Sequence, residues 1–183
     1  MTAKPLPPAQ FLRECFDYDP QTGELFWKAR PVSHFRDEVC QRRWNTTYAG
    51  TLALATMSDG SLYGNLTYQG RRQKVRAHRV IWKLVYGSEP ENEVDHRDGD
   101  FTNNQLLNLR DATRFQNNQN TRMRRHNRTG FKGVSPVPSG RFKARIRVNN
   151  TVHQLGTFNT PEEARQAYVE AAHRYHKEFA NVG

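Results

Sequence analysis

"EVDHRDGDFTNNQLLNLRDATRFQNNQN", residues 93–120, is the stretch on which the reading of the whole chain turns. Its first eight residues hold Glu93, Asp95, His96, Asp98 and Asp100, four carboxylates and an imidazole in a chain of formal net charge +10. Three explanations are open: a turn, a calcium loop, or a metal site acting on phosphate. An EF-hand loop needs oxygen ligands at its first, third and fifth positions, glycine at the sixth and glutamate at the twelfth. Counted from Asp95 those places fall on Arg97, Gly99 and Leu106, so the calcium loop fails. Asp98-Gly99 is a strong turn signal. A turn alone does not explain the Asp95-His96 pair ahead of it or the asparagines behind, which follow the spacing D-H-x11-N-x8-N through Asn108 and Asn117.

Upstream, "AHRVIWKLVYG" at 77–87 has helical period. Val80, Ile81, Leu84 and Val85 share one face, and Gly87 is a natural stop. His78 opens this helix, with a structural or capping role, or a phosphate contact, as its alternatives. Residues 49–76 read as strands: "LALATM" and "SLYGNLTY" flank Asp59-Gly60, and Gln69-Gly70 precedes "RRQKVR". A short helix is expected around "AQFLRECF". In "FDYDPQTGELFWK", aromatic runs either side of a turn suit a hairpin. Residues 30–48 carry no clear period and are expected to be irregular.

Downstream, "TRMRRHNR" at 121–128 has almost nothing to bury and reads as a basic connector. Beyond it, Arg141, Lys143, Arg145 and Arg147 alternate with Phe142, Ala144, Ile146 and Val148, a strand with one cationic and one apolar face. "TVHQLGTF" reads as a further strand. The helix "TPEEARQAYVEAAHRYHKEF" announces itself through Thr160 as N-cap, Pro161 in the first turn and Glu163 completing a capping box. Ala164, Ala167, Tyr168, Ala171, Tyr175 and Phe179 form its apolar stripe. The expected fold class is α+β, organised as an N-terminal helix and hairpin (1–48), a central domain (49–120), the connector, and a C-terminal domain (129–183) whose three-stranded antiparallel sheet packs on one helix.

The 28 Lys+Arg against 18 Asp+Glu point to a polyanionic partner, nucleic acid above all. Mean hydropathy is −0.92, and no apolar run is long enough to span a bilayer. The opening "MTAKPLPPAQ" has no hydrophobic signal core, so a cytosolic protein without membrane association is expected. Two cysteines, Cys15 and Cys40, exclude a four-cysteine zinc site and suit reduced thiols.

The stretch from Val94 to Asn120 resembles the HNH endonuclease family, particularly its phage and intron-encoded homing members, and "AHRVIWKLVYG" and "YDPQTGELFWK" look like segments that accompany the motif. The resemblance implies a ββα-metal (His-Me) finger that hydrolyses DNA phosphodiesters in a bacterial host's cytoplasm. His96 would be the general base, and Asn108 would orient it by bridging the loop. Asp95 and Asn117 would hold one Mg²⁺, for which Mn²⁺ can substitute, with Asn118 or Asn120 replacing Asn117 if the helix register shifts. The chemistry suits these residue types: a hard cation takes oxygen ligands and offsets charge on phosphate, and imidazole takes the proton of the attacking water. Adjacent strand residues point to opposite sides, so Asp95 and His96 need a twist or a substrate between them to cooperate. Asp98 and Asp100 are expected to form turns.

Residues 129–181 resemble the plant APETALA/ethylene-response-factor DNA-binding domain in "GFKGVS", "RFKARIRV", "LGTFNTPEEARQAY" and "FAN"; the family's tryptophan is replaced in "SGRF". The resemblance implies a sheet laid in the major groove of double-stranded DNA by Arg141, Lys143, Arg145 and Arg147, with Lys132 nearby. Arg122, Arg124, Arg125 and Arg128 of the connector would track phosphates or the minor groove, or else only solubilise it. The combined expectation is a monomeric, metal-dependent endonuclease. Its rivals are a non-catalytic DNA-binding regulator and an RNA-binding structural protein.

Overall fold

The Asp19 carboxylate accepts from the backbone N–H of Gln21 at 2.8 Å, and the Gly23 N–H donates to the Asp19 carbonyl, also at 2.8 Å. These bonds close the expected hairpin between β1 (Phe16–Asp19) and β2 (Glu24–Trp27), directly after helix α1 (Ala9–Cys15). This computed structural model describes residues 4–121, 123 and 126–183.

The segment expected to be irregular contains an eleven-residue helix, α2 (Glu38–Tyr48). Asp37 caps it by accepting from the Cys40 N–H at 2.7 Å. No residue of α2 is fully buried, so no apolar period was there to read. Its anchor is Trp44, whose ring meets Trp27 edge-on at 5.2 Å and lies beneath the Arg30 guanidinium, which also covers Phe11 and Phe35. A cation stacked on aromatic rings thus replaces an apolar stripe.

"LALATM" divides between two sheets. β3 (Leu52–Ala53) joins β2 in the order β1-β2-β3. After Leu54, which has positive φ, β4 (Thr56–Ser58) begins a second antiparallel sheet with β5 (Ser61–Tyr68) and β6 (Arg71–Arg76), in that order. Helix α3 (Ala77–Tyr86) follows without a break and ends at Gly87, which is left-handed at φ 78°. Its buried face is Ala77, Val80 and Ile81, whereas Val85, expected on that face, is 41% exposed. Leu66, Val75, Val80 and Ile81 share one core with Leu12, Phe16 and Leu25.

β7 (Glu93–His96) pairs with β8 (Leu109–Ala112), and helix α4 (Arg114–Gln119) comes next in the chain. Thr113 and Gln116 give α4 a capping box that pattern reading overlooked, because the helix buries no residue. The chain falls into two compact units, Met1–Asp111 and Ala112–Gly183, a division ahead of the connector expected at 121–128.

In the second unit, β9 (Val134–Pro136), β10 (Phe142–Val148) and β11 (Thr151–Phe158) form an antiparallel sheet with β10 central. It packs on α5 (Pro161–His176), which carries the capping box of Thr160 and Glu163. Ala144 and Ile146 face Ala164, Tyr168, Ala171 and Ala172. Tyr175, expected on this stripe, is 40% exposed and stacked on His153, while Ala172 and His176 are buried instead. Among the described residues no helix is long and apolar enough to cross a membrane, and both cysteines are free thiols.

Gly133, just ahead of β9, lies tightly between Tyr168 of α5 and the backbone of β10. Its φ is +75°, and a Cβ there would run into the Tyr168 ring and lie 2.7 Å from the Arg145 carbonyl oxygen. Gly133→Ala combines left-handed strain with overpacking, and is expected to destabilise the second unit by roughly 2 kcal/mol or more in urea denaturation.

Candidate active site and basic sheet face

β7 does not alternate between core and solvent: Val94, Asp95 and His96 are all buried. Each buried polar residue in it is therefore matched inside the protein. Asp95 is 2% exposed, and its Oδ2 accepts from Arg110 Nε of β8 at 2.8 Å in an ion pair buried on both sides. This partner was not foreseen, because nothing local in the sequence pairs residues 95 and 110. The bond holds the carboxylate in one plane, as outer partners do for ligating carboxylates.

His96 is 1% exposed. Its Nε2 lies 2.9 Å from Oδ1 of Asn104, another residue that sequence reasoning missed. With the amide oxygen toward the ring, Nε2 carries the hydrogen and donates, and Nδ1 keeps the lone pair. Asn104 is wholly buried, and its Nδ2 has no partner among the described residues. The N-terminal hairpin fixes its backbone. Tyr18 Oη donates to the Asn104 carbonyl at 3.0 Å, and Gly23 sits so close to residues 104 and 105 that a Cβ would be 2.6 Å from Gln105 N. Burial pushes His96 below the ordinary imidazole range, while the Asn104 hydrogen bond and the charges of Asp95, Asp98 and Asp100 pull it back. The ring is neutral near neutral pH.

Two further rings stand edge-on to His96, His78 at 5.1 Å and Phe101 at 5.7 Å. His78 Nδ1 is buried without a partner among the described residues, and no side-chain hydrogen bond caps α3. Of the alternatives for His78, capping is thus not the one adopted, and its ring packs structurally against His96.

Asn108 braces the loop. Its Nδ2 donates to Asp98 Oδ1 at 3.0 Å and to the Asn103 carbonyl at 2.7 Å, and its Oδ1 accepts from the Asp98 N–H at 3.1 Å. Asp98 Oδ1 also accepts from the Asp100 N–H, and Asp100 Oδ1 from the Thr102 N–H, so both carboxylates are spent on turns.

Asn117 lies half-buried on α4, in the second unit. Of its proposed substitutes, Asn118 is exposed, whereas Asn120 is buried with its carbonyl accepting from Asn181 Nδ2 at 2.9 Å. No cluster of three or more His, Cys, Asp or Glu suited to a metal occurs among the described residues. The Asp95 carboxylate, held by Arg110, is the kind of oxygen donor that suits a hard divalent ion keeping several waters.

In the second unit Lys143, Arg145 and Arg147 project from the sheet face opposite α5, and Arg141 donates to the Thr157 carbonyl at 2.7 Å from just ahead of β10. Lys132 is not a free member of this face. Its ammonium donates to the Gln119 carbonyl at 3.1 Å and to that of Thr121, and burial lowers it to about 8. Arg128 is exposed, and Arg122, Arg124 and Arg125 lie outside the described residues.

Residues 75–119 match the family model of the HNH endonuclease domain. Over 50 residues the chain is 44% identical to the AP2/ERF and B3 domain-containing transcription factor RAV1 of Arabidopsis thaliana, covering 27% of this chain and 14% of that protein. Over 47 residues it is 51% identical to the Ethylene-responsive transcription factor ERF084 of the same plant, covering 25% of this chain and 18% of that protein. The chain thus spans less than a fifth of the length of either relative. No solved structure matches it. An HNH endonuclease domain at 75–119 and a short likeness to AP2/ERF factors are what the chain shares with known proteins.

Burial, reinforced by His96, Arg76 and Arg79, pushes His78 down to about 3. Below about 6.5 the unfolded chain binds a proton there that the folded chain refuses, so stability is lost as pH falls from 6.5 towards 3. His78→Phe removes the titrating group and keeps a ring. In urea denaturation at successive pH values its stability should fall less steeply on the acid side than that of the wild type.

Proposed function

We propose that the chain is a metal-dependent DNA endonuclease of the homing type, with β7, β8 and α4 forming a ββα-metal finger and the second unit binding the DNA. The observation that carries this reading is the buried His96 imidazole, oriented by Asn104 within the segment that matches the HNH endonuclease domain. His96 Nδ1 takes the proton of the attacking water, since a neutral ring with Nε2 already donating has its lone pair there. Asn108 keeps the loop closed around that ring, and Asp95, held by Arg110, would hold the cation. A bound Mg²⁺ or Mn²⁺ supplies Lewis-acid stabilisation of charge on the phosphate and the leaving oxygen. Because His96 is almost wholly buried, water and phosphate reach it past Phe101, which is 41% exposed, or past the loop that carries it.

In the second unit Arg141, Lys143, Arg145 and Arg147 would meet double-stranded DNA, combining phosphate contacts with readout of base edges. We assign the likeness to the two plant transcription factors to this unit. A monomer with one such centre cuts one strand at a time.

Incubating supercoiled plasmid with the protein and Mg²⁺ or Mn²⁺ tests the reading. The wild type should cleave, excess EDTA should stop it, and His96→Ala should slow cleavage by about a hundredfold or more. If the wild type and His96→Ala are equally inert while both bind DNA, the non-catalytic regulator is the correct reading. Separately, Arg145→Ala should weaken duplex binding in gel shifts and make its salt dependence shallower by about one counterion.

A further inference from the structure

β6 carries Arg72, Lys74 and Arg76 at alternate positions, and a strand sends such residues to one face about 6.8 Å apart. The register sets Thr67, Asn65 and Tyr63 of β5 beside them, in that order. The other face of the same strands bears Leu66 and Val75, which are in the core, so the cationic row looks outward. Arg72 and Lys74 are exposed, and Arg76 is half-buried.

Some cations of this unit are matched to acids: Arg36 to Asp37, Arg79 and Lys83 to Glu89, Arg110 to Asp95. Arg72, Lys74 and Arg76 have no carboxylate partner among the described residues, and the Lys74 ammonium instead lies 3.6 Å from the centre of the Tyr63 ring. Three like charges in a row repel one another, and a polyanion relieves all three together. β6 is an edge strand, and charge on an edge prevents strand-to-strand aggregation. Either sign would serve that purpose, so edge protection does not account for a uniformly positive row. The row also leads somewhere: β6 runs straight into α3, and two residues beyond Arg76 stands His78, in ring contact with His96.

We propose that the outward face of the β4-β5-β6 sheet is a second DNA-binding surface, additional to that of the C-terminal unit, which grips the phosphate backbone of a duplex and leads it to His96. Arg72, Lys74 and Arg76 supply the charge, and Tyr63, Asn65 and Thr67 supply hydrogen-bonding groups of the kinds that contact phosphate oxygens. The choice of DNA rests on the nuclease reading above; the surface itself is a claim about binding.

The test is fluorescence anisotropy of the full chain with a labelled mixed-sequence duplex DNA of about 30 base pairs, in EDTA and across a salt series. The double variant Arg72→Glu/Lys74→Glu should bind about tenfold or more weakly, with a salt slope shallower by about two counterions. Arg72→Gln/Lys74→Gln should shift the same way by less, and it decides the matter if charge reversal impairs folding. An unchanged melting temperature with wild-type affinity and slope would overturn the proposal. So would a loss confined to duplex RNA of the same length. Cleavage is not measured here, so a wild type that binds but never cuts sinks the nuclease reading and leaves the binding comparison to judge this surface alone.

Discussion

A buried hydrogen bond 2.9 Å long, from His96 Nε2 to the side-chain oxygen of Asn104, ties the first unit's architecture to its chemistry. An imidazole shut away from water keeps a defined tautomer and orientation only if the protein replaces the lost solvent contacts. Asn104 does this from one edge, while His78 and Phe101 close in on the ring with theirs. Asn104 is in turn held by Tyr18 and by the close approach of Gly23. The N-terminal hairpin is thus a support for the loop between β7 and β8, and the glycine in its turn is required by contact as well as by its φ of +80°.

The same economy governs charge. A chain of net charge +10 has few acids to spend, and those at its centre are used internally. Asp95 neutralises Arg110 in the interior, while Asp98 and Asp100 accept backbone N–H groups and hold the turn. Glu89 gathers Arg79 and Lys83. Of the cluster that looks in sequence like an acidic patch, Asp95 is buried and Asp100 half-buried, while Glu93 and Asp98 stay exposed. What faces outward includes the cationic rows of β6 and β10, which suits a partner made of phosphate.

Local signals were legible wherever the physics is local. The capping box at Thr160, the alternation of β10 and the stop at Gly87 each depend on residues a few positions apart, and each is present. Helix α2 was invisible because an arginine stacked on three aromatic rings anchors it, leaving no period to detect. Tyr175 and Val85 sat on the right periodic stripes yet lie at their margins, where a helix face turns out of the core. At the candidate site the spacing of Asp95, His96, Asn108 and Asn117 could be read directly. The pairings Arg110–Asp95 and Asn104–His96 could not, since they depend on how β7, β8 and the loop fold back on one another. Asn104 did carry a faint signal as one of two adjacent asparagines inside the loop. At β7 alternation leaves no solvent face to read, since Val94, Asp95 and His96 are all buried and only Glu93 is exposed.

The most direct test is the single-turnover cleavage rate of Asn104→Leu with Mg²⁺, set beside its duplex affinity measured in EDTA. The expected result is a rate lowered by about tenfold or more, since orientation of the base is lost, with affinity and secondary structure unchanged. Cleavage by Asn104→Leu at the wild-type rate would contradict the claim that this hydrogen bond readies His96 to accept a proton.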